Sequence, residues 1–375
     1  MPPDYGGVID VYHKIRALRN AGANVHLHSY ACRDRLNPDL TKSPADTTYI
    51  YERDMSQLNL LSRHPFIVAT RRNSTLLECL TALPPGSPIL FEGKHTTYFL
   101  DHPGLKDKLK IVRTHNVEHD YYRQLALNSK GIKKRYCRLE ARKLAKYEKK
   151  LAHADVILAI SPQDKEYFSR QFPKTVVEYV PCFYDDSSLS GPVPTPLENE
   201  ARPYMLYHGN LGVAENVEAV NYALDRLMPL TEGKVELKVA GRGGDAGLRR
   251  KIEASPNASL IDSPGEEEMA RLIGDASVVL LLTNQNTGIK LKLLDTLVKA
   301  RGTLLATPEM VGDPVVAPLL EVAPTASLQA EAIEKALTLK PDSRTLTKRR
   351  EILLENFNTV ENARRILTLI DRLRN

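Results

Sequence analysis

The chain has 375 residues, 42% hydrophobic and 26% charged, which at roughly 150 residues per domain points to two domains with their own cores and excludes disordered, collagenous and short-peptide classes. Lys and Arg number 52 against 46 Asp and Glu, a net charge of +6 that suits an anionic partner without naming one. Aliphatic runs such as Val278 to Leu282 fall far short of the roughly 20 residues that span a bilayer; residues 1–7 lack the basic and apolar regions of a secretory signal; and Cys32, Cys79, Cys137 and Cys182 form no Cys-x-x-Cys pair. The expectation is a cytoplasmic chain with free thiols.

The apolar spacing of Val8–Arg19 predicts a first amphipathic helix. Gly6 and Gly7 stand just before it, where glycine lets a ligand approach and a helix N-terminus offers N–H groups to an anion, although a plain turn accounts for two adjacent glycines equally well. A helix of this kind ordinarily follows a strand, so a first strand is expected further upstream. Strands are predicted at Val25–Tyr30, Phe66–Ala69, Ile89–Phe91, Lys110–Arg113, Val156–Ile160 and Val176–Val180, alternating with helical stretches as in a parallel sheet. Between them, Thr114-His115-Asn116-Val117-Glu118-His119 gathers imidazoles, an amide and a carboxylate at the carboxyl end of a strand, the edge where open α/β sheets bind ligands. Lys130–Lys150 follows, with ten of twenty-one residues Lys or Arg; Ile132, Tyr136, Leu139, Leu144, Tyr147 and Leu151 are expected to form its inner face. A solvated helix face is the plain reading of that run, and peripheral contact with anionic lipid at the inner face of the membrane, or with a lipid-linked pyrophosphate, is the alternative.

Ser187–Pro203 carries four prolines and no apolar period, as a linker does. Beyond it the scheme repeats, with strands at Tyr204–Tyr207, Val235–Ala240, Ser259–Ile261, Val278–Leu282 and Thr303–Ala306 and helices at Glu215–Leu227 and Glu266–Ile273. Helices Leu328–Leu337, Ser343–Glu355 and Val360–Leu373 end the chain. The expected organisation is a first domain over 1–186, a linker over 187–203, a second domain over 204–355 and a crossover helix over 356–375. Val239–Gly247 with Asp262 loosely resembles a dinucleotide fingerprint, but it sits on the second strand of its domain. Thr283–Gly302 reads strand, polar glycine loop, helix. There free N–H groups and Lys290 would hold a pyrophosphate without metal, and Asp295 would accept from ribose hydroxyls.

In this order and spacing, Pro3–Gly7, Arg113–Tyr122, Ala154–Ser161 with Asp164, Tyr207–Leu211 with Asn216, Val239–Arg242, Glu266–Met269 with Ala276–Val279, and Gly288–Asp295 resemble the retaining GT-B glycosyltransferases of the family 4-like group. The resemblance spans nearly the whole chain. It implies two Rossmann-like, doubly wound α/β domains facing a cleft, with C-terminal helices crossing back. It further implies an acceptor bound by the first domain and a nucleoside diphosphate sugar bound by the second. His115, Lys290 and Arg242 then take catalytic roles. Gly6, Gly7, Gly209, Asn210, Thr287, Gly288, Ile289 and Asp295 take donor-binding roles, and Asn116 and Glu118 lie on the acceptor side. The chain departs from the family pattern at Thr287, where a Glu is common, at Asn210 and Asn216, where an Arg and a Lys are common, and at Asp295, usually Glu. Leaving-group stabilisation would then fall on Lys290, Arg242 and Lys292.

The expected function is transfer of a sugar, with retention, from a nucleoside diphosphate sugar to a glycan or lipid-linked hydroxyl acceptor in cell-envelope or exopolysaccharide synthesis. Neither cofactor nor metal is expected, and no nucleic-acid partner. The alternatives are a sugar-nucleotide epimerase on the same scaffold, a non-catalytic nucleotide or polysaccharide-assembly binding protein, and a nicotinamide dehydrogenase acting through the Gly241 segment.

Overall fold

The computed structural model describes residues 6–33, 36, 39, 41, 43–197, 203–284 and 291–374. Its contacts divide the chain into two compact units, residues 1–184 with 359–375, and residues 185–358.

The first unit runs α1 (Gly6–Asn20), β1 (His26–Ala31), β2 (Thr47–Glu52), α2 (Phe66–Ala69), α3 (Ser74–Thr81), β3 (Pro88–Glu92), β4 (Leu109–Arg113), α4 (Glu118–Leu127), α5 (Gly131–Glu148), β5 (Val156–Ala159), α6 (Pro162–Gln171) and β6 (Val176–Tyr179). Every pairing is parallel, but the strands form two sheets, β1-β2 and β3-β4-β5-β6. Both faces of the larger sheet are covered, which parallel strands require because their crossovers place helices on both sides. On one face Ile89, Phe91, Val112 and Ile157 pack with Leu76, Leu80 and Phe168. On the other, Ile111, Val156 and Leu158 pack with Ala17 and Leu18 of α1.

The second unit runs β7 (Tyr204–His208), α7 (Ala214–Tyr222), β8 (Glu236–Gly241), α8 (Ala246–Glu253), β9 (Ala258–Asp262), α9 (Glu266–Asp275), β10 (Val278–Leu281), α10 (Leu291–Lys299), β11 (Thr303–Ala306), β12 (Glu321–Val322), α11 (Ala326–Thr338) and α12 (Ser343–Asn356). Its sheet is continuous and parallel, in the order β9-β8-β7-β10-β11-β12. Numbered within the unit this is 3-2-1-4-5-6, the doubly wound order whose switch point lies between the first and fourth strands. That point falls between β7 and β10. The last helix, α13 (Thr359–Arg374), returns to the first unit, where Ala363 and Ile366 pack with Ala17 and Leu18.

Most of the expected strands are present within a residue or two. Phe66–Ala69 is instead a helical turn: Pro65 precedes it, and the Phe66 N–H donates to the Glu140 carboxylate of α5 at 2.6 Å. Strand β2, Thr47–Glu52, was not expected. Gly6 and Gly7 open α1 rather than forming a loop ahead of it. The expectation of an earlier strand falls outside the described residues. The inner face of α5 also differs from the expected one. Ile132 is 86% exposed and Leu139 50% exposed, while Cys137, Glu140, Ala141, Leu144, Tyr147 and Glu148 are buried.

Candidate functional site

In the first unit, polar groups converge where β3 and β4 end beside the start of α1. Arg113, the last residue of β4 and fully buried, grips the Asp10 carboxylate of α1 through Nε and Nη2 at 3.1 and 3.2 Å. It also donates to the carbonyls of Val180 and Pro181 at 3.0 and 2.8 Å. The Phe183 N–H donates to Asp10 at 2.7 Å. One helical turn along α1, Lys14 lies 3.2 Å from Asp10 and 2.6 Å from Glu92 at the end of β3. Glu92 in turn holds His115 Nε2 at 3.2 Å. The result is a chain of alternating charge, Arg113, Asp10, Lys14, Glu92, His115, that fixes the imidazole predicted from sequence. Burial alone would raise the Asp10 carboxyl, but Arg113 and Lys14 overcome it and hold it far below the carboxylate range.

The ligand atoms of Asp10, Glu92 and His115 all lie within 4.8 Å of one another, as metal ligands can. Here, however, both carboxylates already face the Lys14 ammonium, so a cation at that point would have to displace a buried counter-charge.

Gly93, with φ +74°, forms the floor beneath His115. A Cβ there would stand 2.6 Å from the His95 ring and 3.5 Å from His115 Nδ1. Asn116 turns a buried Oδ1 that has no hydrogen-bond partner among the described residues. Glu118, in the first turn of α4, is buried, and that burial raises its carboxyl against the opposing charges of Lys94, His115 and Arg71. The charges of Arg71 and Arg53 also act on His95, which burial keeps neutral. Of this cluster, the sequence singles out His115, Asn116 and Glu118. It does not single out Asp10, Lys14, Glu92, His95 and the two arginines, which come from separate segments.

In the second unit the switch point is built on glycine loops held by backbone and amide hydrogen bonds. After β7 the chain turns at Gly209 and Asn210, and after β8 at Gly241 and Arg242. The two loops are stitched together by Gly209 N–H to Ala240 O at 3.0 Å and Leu211 N–H to Arg242 O at 2.7 Å. A Cβ on Gly241 would stand 1.9 Å from Gly209 O, which explains glycine there without any ligand. Asn216 supports the same loop, accepting from the Tyr207 hydroxyl at 2.9 Å and donating to Asn210 O at 2.8 Å. Asn210 Oδ1 accepts from Gly212 N–H at 3.0 Å. Asp262, the acidic residue of the dinucleotide-like segment, is taken by Arg249 at 2.7 Å.

His208, at the end of β7, was not singled out from sequence. Its ring is buried and neutral, and Nε2 meets Thr296 Oγ1 at 2.8 Å. The Thr296 hydroxyl already donates to Lys292 O at 2.7 Å, so His208 Nε2 carries the proton and donates. This bond ties β7 to α10, the helix that carries Lys292 and Asp295. Lys292 Nζ lies 4.1 Å from the centre of the Tyr207 ring. Asp295 pairs with Lys299 at 2.5 Å one turn along the same helix. Beside β7, the Thr283 hydroxyl at the end of β10 donates to Glu215. Arg242 is exposed. Thr287, Gly288, Ile289 and Lys290 lie outside the described residues.

No family model matches the chain. An uncharacterized 44.6 kDa protein in the cps region of Klebsiella pneumoniae is 23% identical over 326 residues, 83% of this chain and 80% of the relative. Among solved structures, WaaG, a glycosyltransferase involved in lipopolysaccharide biosynthesis, superposes with TM-score 0.64 at 14% identity, over 98% of this chain and 96% of WaaG. OtsA superposes with TM-score 0.64 at 12% identity, over 99% and 96%. A UDP-forming trehalose-phosphate synthase from Burkholderia xenovorans superposes with TM-score 0.55 at 14% identity, over 80% and 76%. The chain therefore has the GT-B fold, with two Rossmann-like units.

Proposed function

We propose that the protein is a glycosyltransferase that moves a sugar, with retention, from a nucleoside diphosphate sugar to a hydroxyl of a glycan or lipid-linked acceptor in envelope or exopolysaccharide synthesis. The observation that supports this most is the switch point between β7 and β10 in a chain of GT-B fold. There the loops after β7 and β8 are joined by backbone hydrogen bonds at the sheet edge next to β10. Open α/β sheets bind nucleotides at that position.

In this reading the second unit holds the donor. Gly209, Asn210 and the stretch Thr287, Gly288, Ile289 supply backbone and amide contacts, Asp295 takes the ribose, and Gly6 and Gly7 also take donor-binding roles. Departure of the nucleoside diphosphate breaks the bond from the anomeric carbon to the phosphate oxygen. The charge that develops there is met by Lys290 and Arg242 and by Lys292, and preorganised charge of this kind is worth most at the leaving atom. The acceptor hydroxyl forms the new bond on the same face of the sugar and gives its proton to the departing phosphate. His115, held by Glu92, orients the sugar, while Asn116 and Glu118 bind acceptor hydroxyls. Lysine and backbone N–H groups do the electrostatic work, so the reading includes neither metal nor cofactor.

The test is product analysis with a panel of nucleotide sugars and a lipid-linked glycan acceptor. The expected outcome is release of one nucleoside diphosphate that depends on acceptor and falls about 10²–10³-fold in Lys290→Ala. An epimerised donor formed without acceptor would replace this reading with an isomerase.

A further inference from the structure

The carboxyl end of β2 carries a guanidinium that the fold leaves open. Arg53 follows the last residue of that strand and is half-buried. Its backbone N–H donates to Ala31 O at 2.8 Å and its Nε to Thr70 Oγ1 at 2.9 Å. Among the described residues neither Nη1 nor Nη2 has a hydrogen-bond partner, and no carboxylate pairs with the side chain. Asp54, its neighbour in sequence, is held by the Ser56 N–H and Asn59. Glu140 of α5 is held by the Phe66 N–H and Lys143.

The groups that sense this cation come from separate segments. Arg53 acts electrostatically on His95, after β3, and on Tyr136 of α5. Tyr136 and Glu118 both act on Tyr122 of α4, and Arg71 acts on Glu118 and on His95. The six groups thus form one ring of neighbours beside the carboxyl ends of β2, β3 and β4.

Most of this ring lacks partners. Glu118 is only 9% exposed, yet it has neither a hydrogen bond nor an ion pair among the described residues. The Tyr122 and Tyr136 hydroxyls have no hydrogen-bond partner among them either, and Asn116 Oδ1 is buried without one. Buried polar groups are ordinarily paired, so several unpaired ones around an open guanidinium mark a place where a ligand completes the set. Carboxyl, phenol and amide oxygens accept from sugar hydroxyls. The planar Nη fork of an arginine matches a carboxylate, which takes two parallel N–H bonds. A phosphate dianion fits less well, because the Glu118 carboxyl stands in the same ring.

We infer that Arg53 binds the carboxylate of an acidic sugar, a hexuronic acid, whose ring hydroxyls are held by Glu118, Tyr122 and Tyr136. Calling that sugar the acceptor rests on the proposed function. The binding itself is measured without donor, so each can fail alone.

The test is a saturation-transfer NMR titration of the full chain with methyl glucuronide, methyl glucoside and glucose 6-phosphate. The expected result is that methyl glucuronide binds about tenfold more tightly than methyl glucoside, as one charge-assisted pair gives. Glucose 6-phosphate is expected to bind more weakly than the glucuronide. Arg53→Gln lowers glucuronide affinity to that of the glucoside and leaves glucoside binding unchanged, which also reports that the variant site is folded. Glu118→Gln weakens both sugars alike. Three results would overturn the inference: no binding of the glucuronide, equal binding of glucuronide and glucoside by the wild type, or a preference that survives Arg53→Gln. Tighter binding of glucose 6-phosphate would assign the site to a phosphate instead. Glucuronide binding without transfer from any nucleotide sugar would overturn the transferase reading and leave this inference standing.

Discussion

In the first unit Arg113, Glu92 and His115 at the carboxyl ends of β3 and β4 form, with Asp10 and Lys14 of α1, one run of alternating charge; in the second, the carboxyl ends of β7 and β8 lead into Gly209, Asn210, Gly241 and Arg242 beside a neutral His208. Both edges sit where parallel sheets bind ligands. One edge is organised by side-chain charge and the other by backbone approach. A charged network fixes a ring such as His115 at the expense of depending on its members, because removing one ion leaves a neighbouring charge short of a counter-charge. A glycine edge is held by backbone hydrogen bonds between adjacent loops, and it depends on the absence of a Cβ. The proposed function assigns sugar hydroxyls to the first edge and the diphosphate to the second.

The largest expected effect tests the charged edge. Arg113→Met leaves the buried Asp10 carboxylate with only Lys14 and the Phe183 N–H and is expected to cost about 3 kcal/mol in urea unfolding. A cost near that of a surface substitution would mean the network does not hold the unit. On the glycine edge, Gly241→Ala drives a Cβ against Gly209 O and is expected to cost about 2–3 kcal/mol and to weaken nucleotide binding, read by calorimetry.

A pH experiment separates the edges further. Glu148 accepts from Lys94 at 2.5 Å and from Tyr167. Burial alone would raise its carboxyl, but its bonds to His119 and Lys94 outweigh this and hold it down to about 2. It is thus more acidic folded than unfolded. Its contribution is complete above the ordinary carboxylate range and disappears as pH falls toward about 2. Glu148→Gln should therefore be less stable than wild type by about 2 kcal/mol at neutral pH, with a gap that closes on acidification. A gap independent of pH would contradict the pairing. The smallest effect is Asn216→Ala, which removes two hydrogen bonds from the β7 loop and should cost about 1 kcal/mol.

The second unit was largely legible in the sequence because its strands are unbroken aliphatic runs such as Val278–Leu281, and its glycine loops stand at their ends. In the first unit, β2 escaped notice because Thr47–Glu52 mixes Thr and Tyr without an aliphatic run. Phe66–Ala69 was misread because so short an apolar run carries no period that separates strand from helix. The inner face of α5 was misjudged for a different reason. Glu140 and Glu148 are buried there against a backbone N–H and Lys94, while Ile132 and Leu139 face outward, which inverts the usual pattern. His115 was legible from local polar density. Its supporting chain was not, since Arg113 and Asp10 are 103 residues apart and only the fold joins them.

The most direct test of the account is ligand-dependent Tm for the full chain and for Lys290→Ala, with UDP, GDP, ADP, NAD and the corresponding nucleotide sugars, since a ligand that binds only the folded state raises stability by mass action. The account predicts a rise with one nucleoside diphosphate and its sugar, lost in Lys290→Ala. A rise with NAD alone, or no rise with any of them, would contradict it.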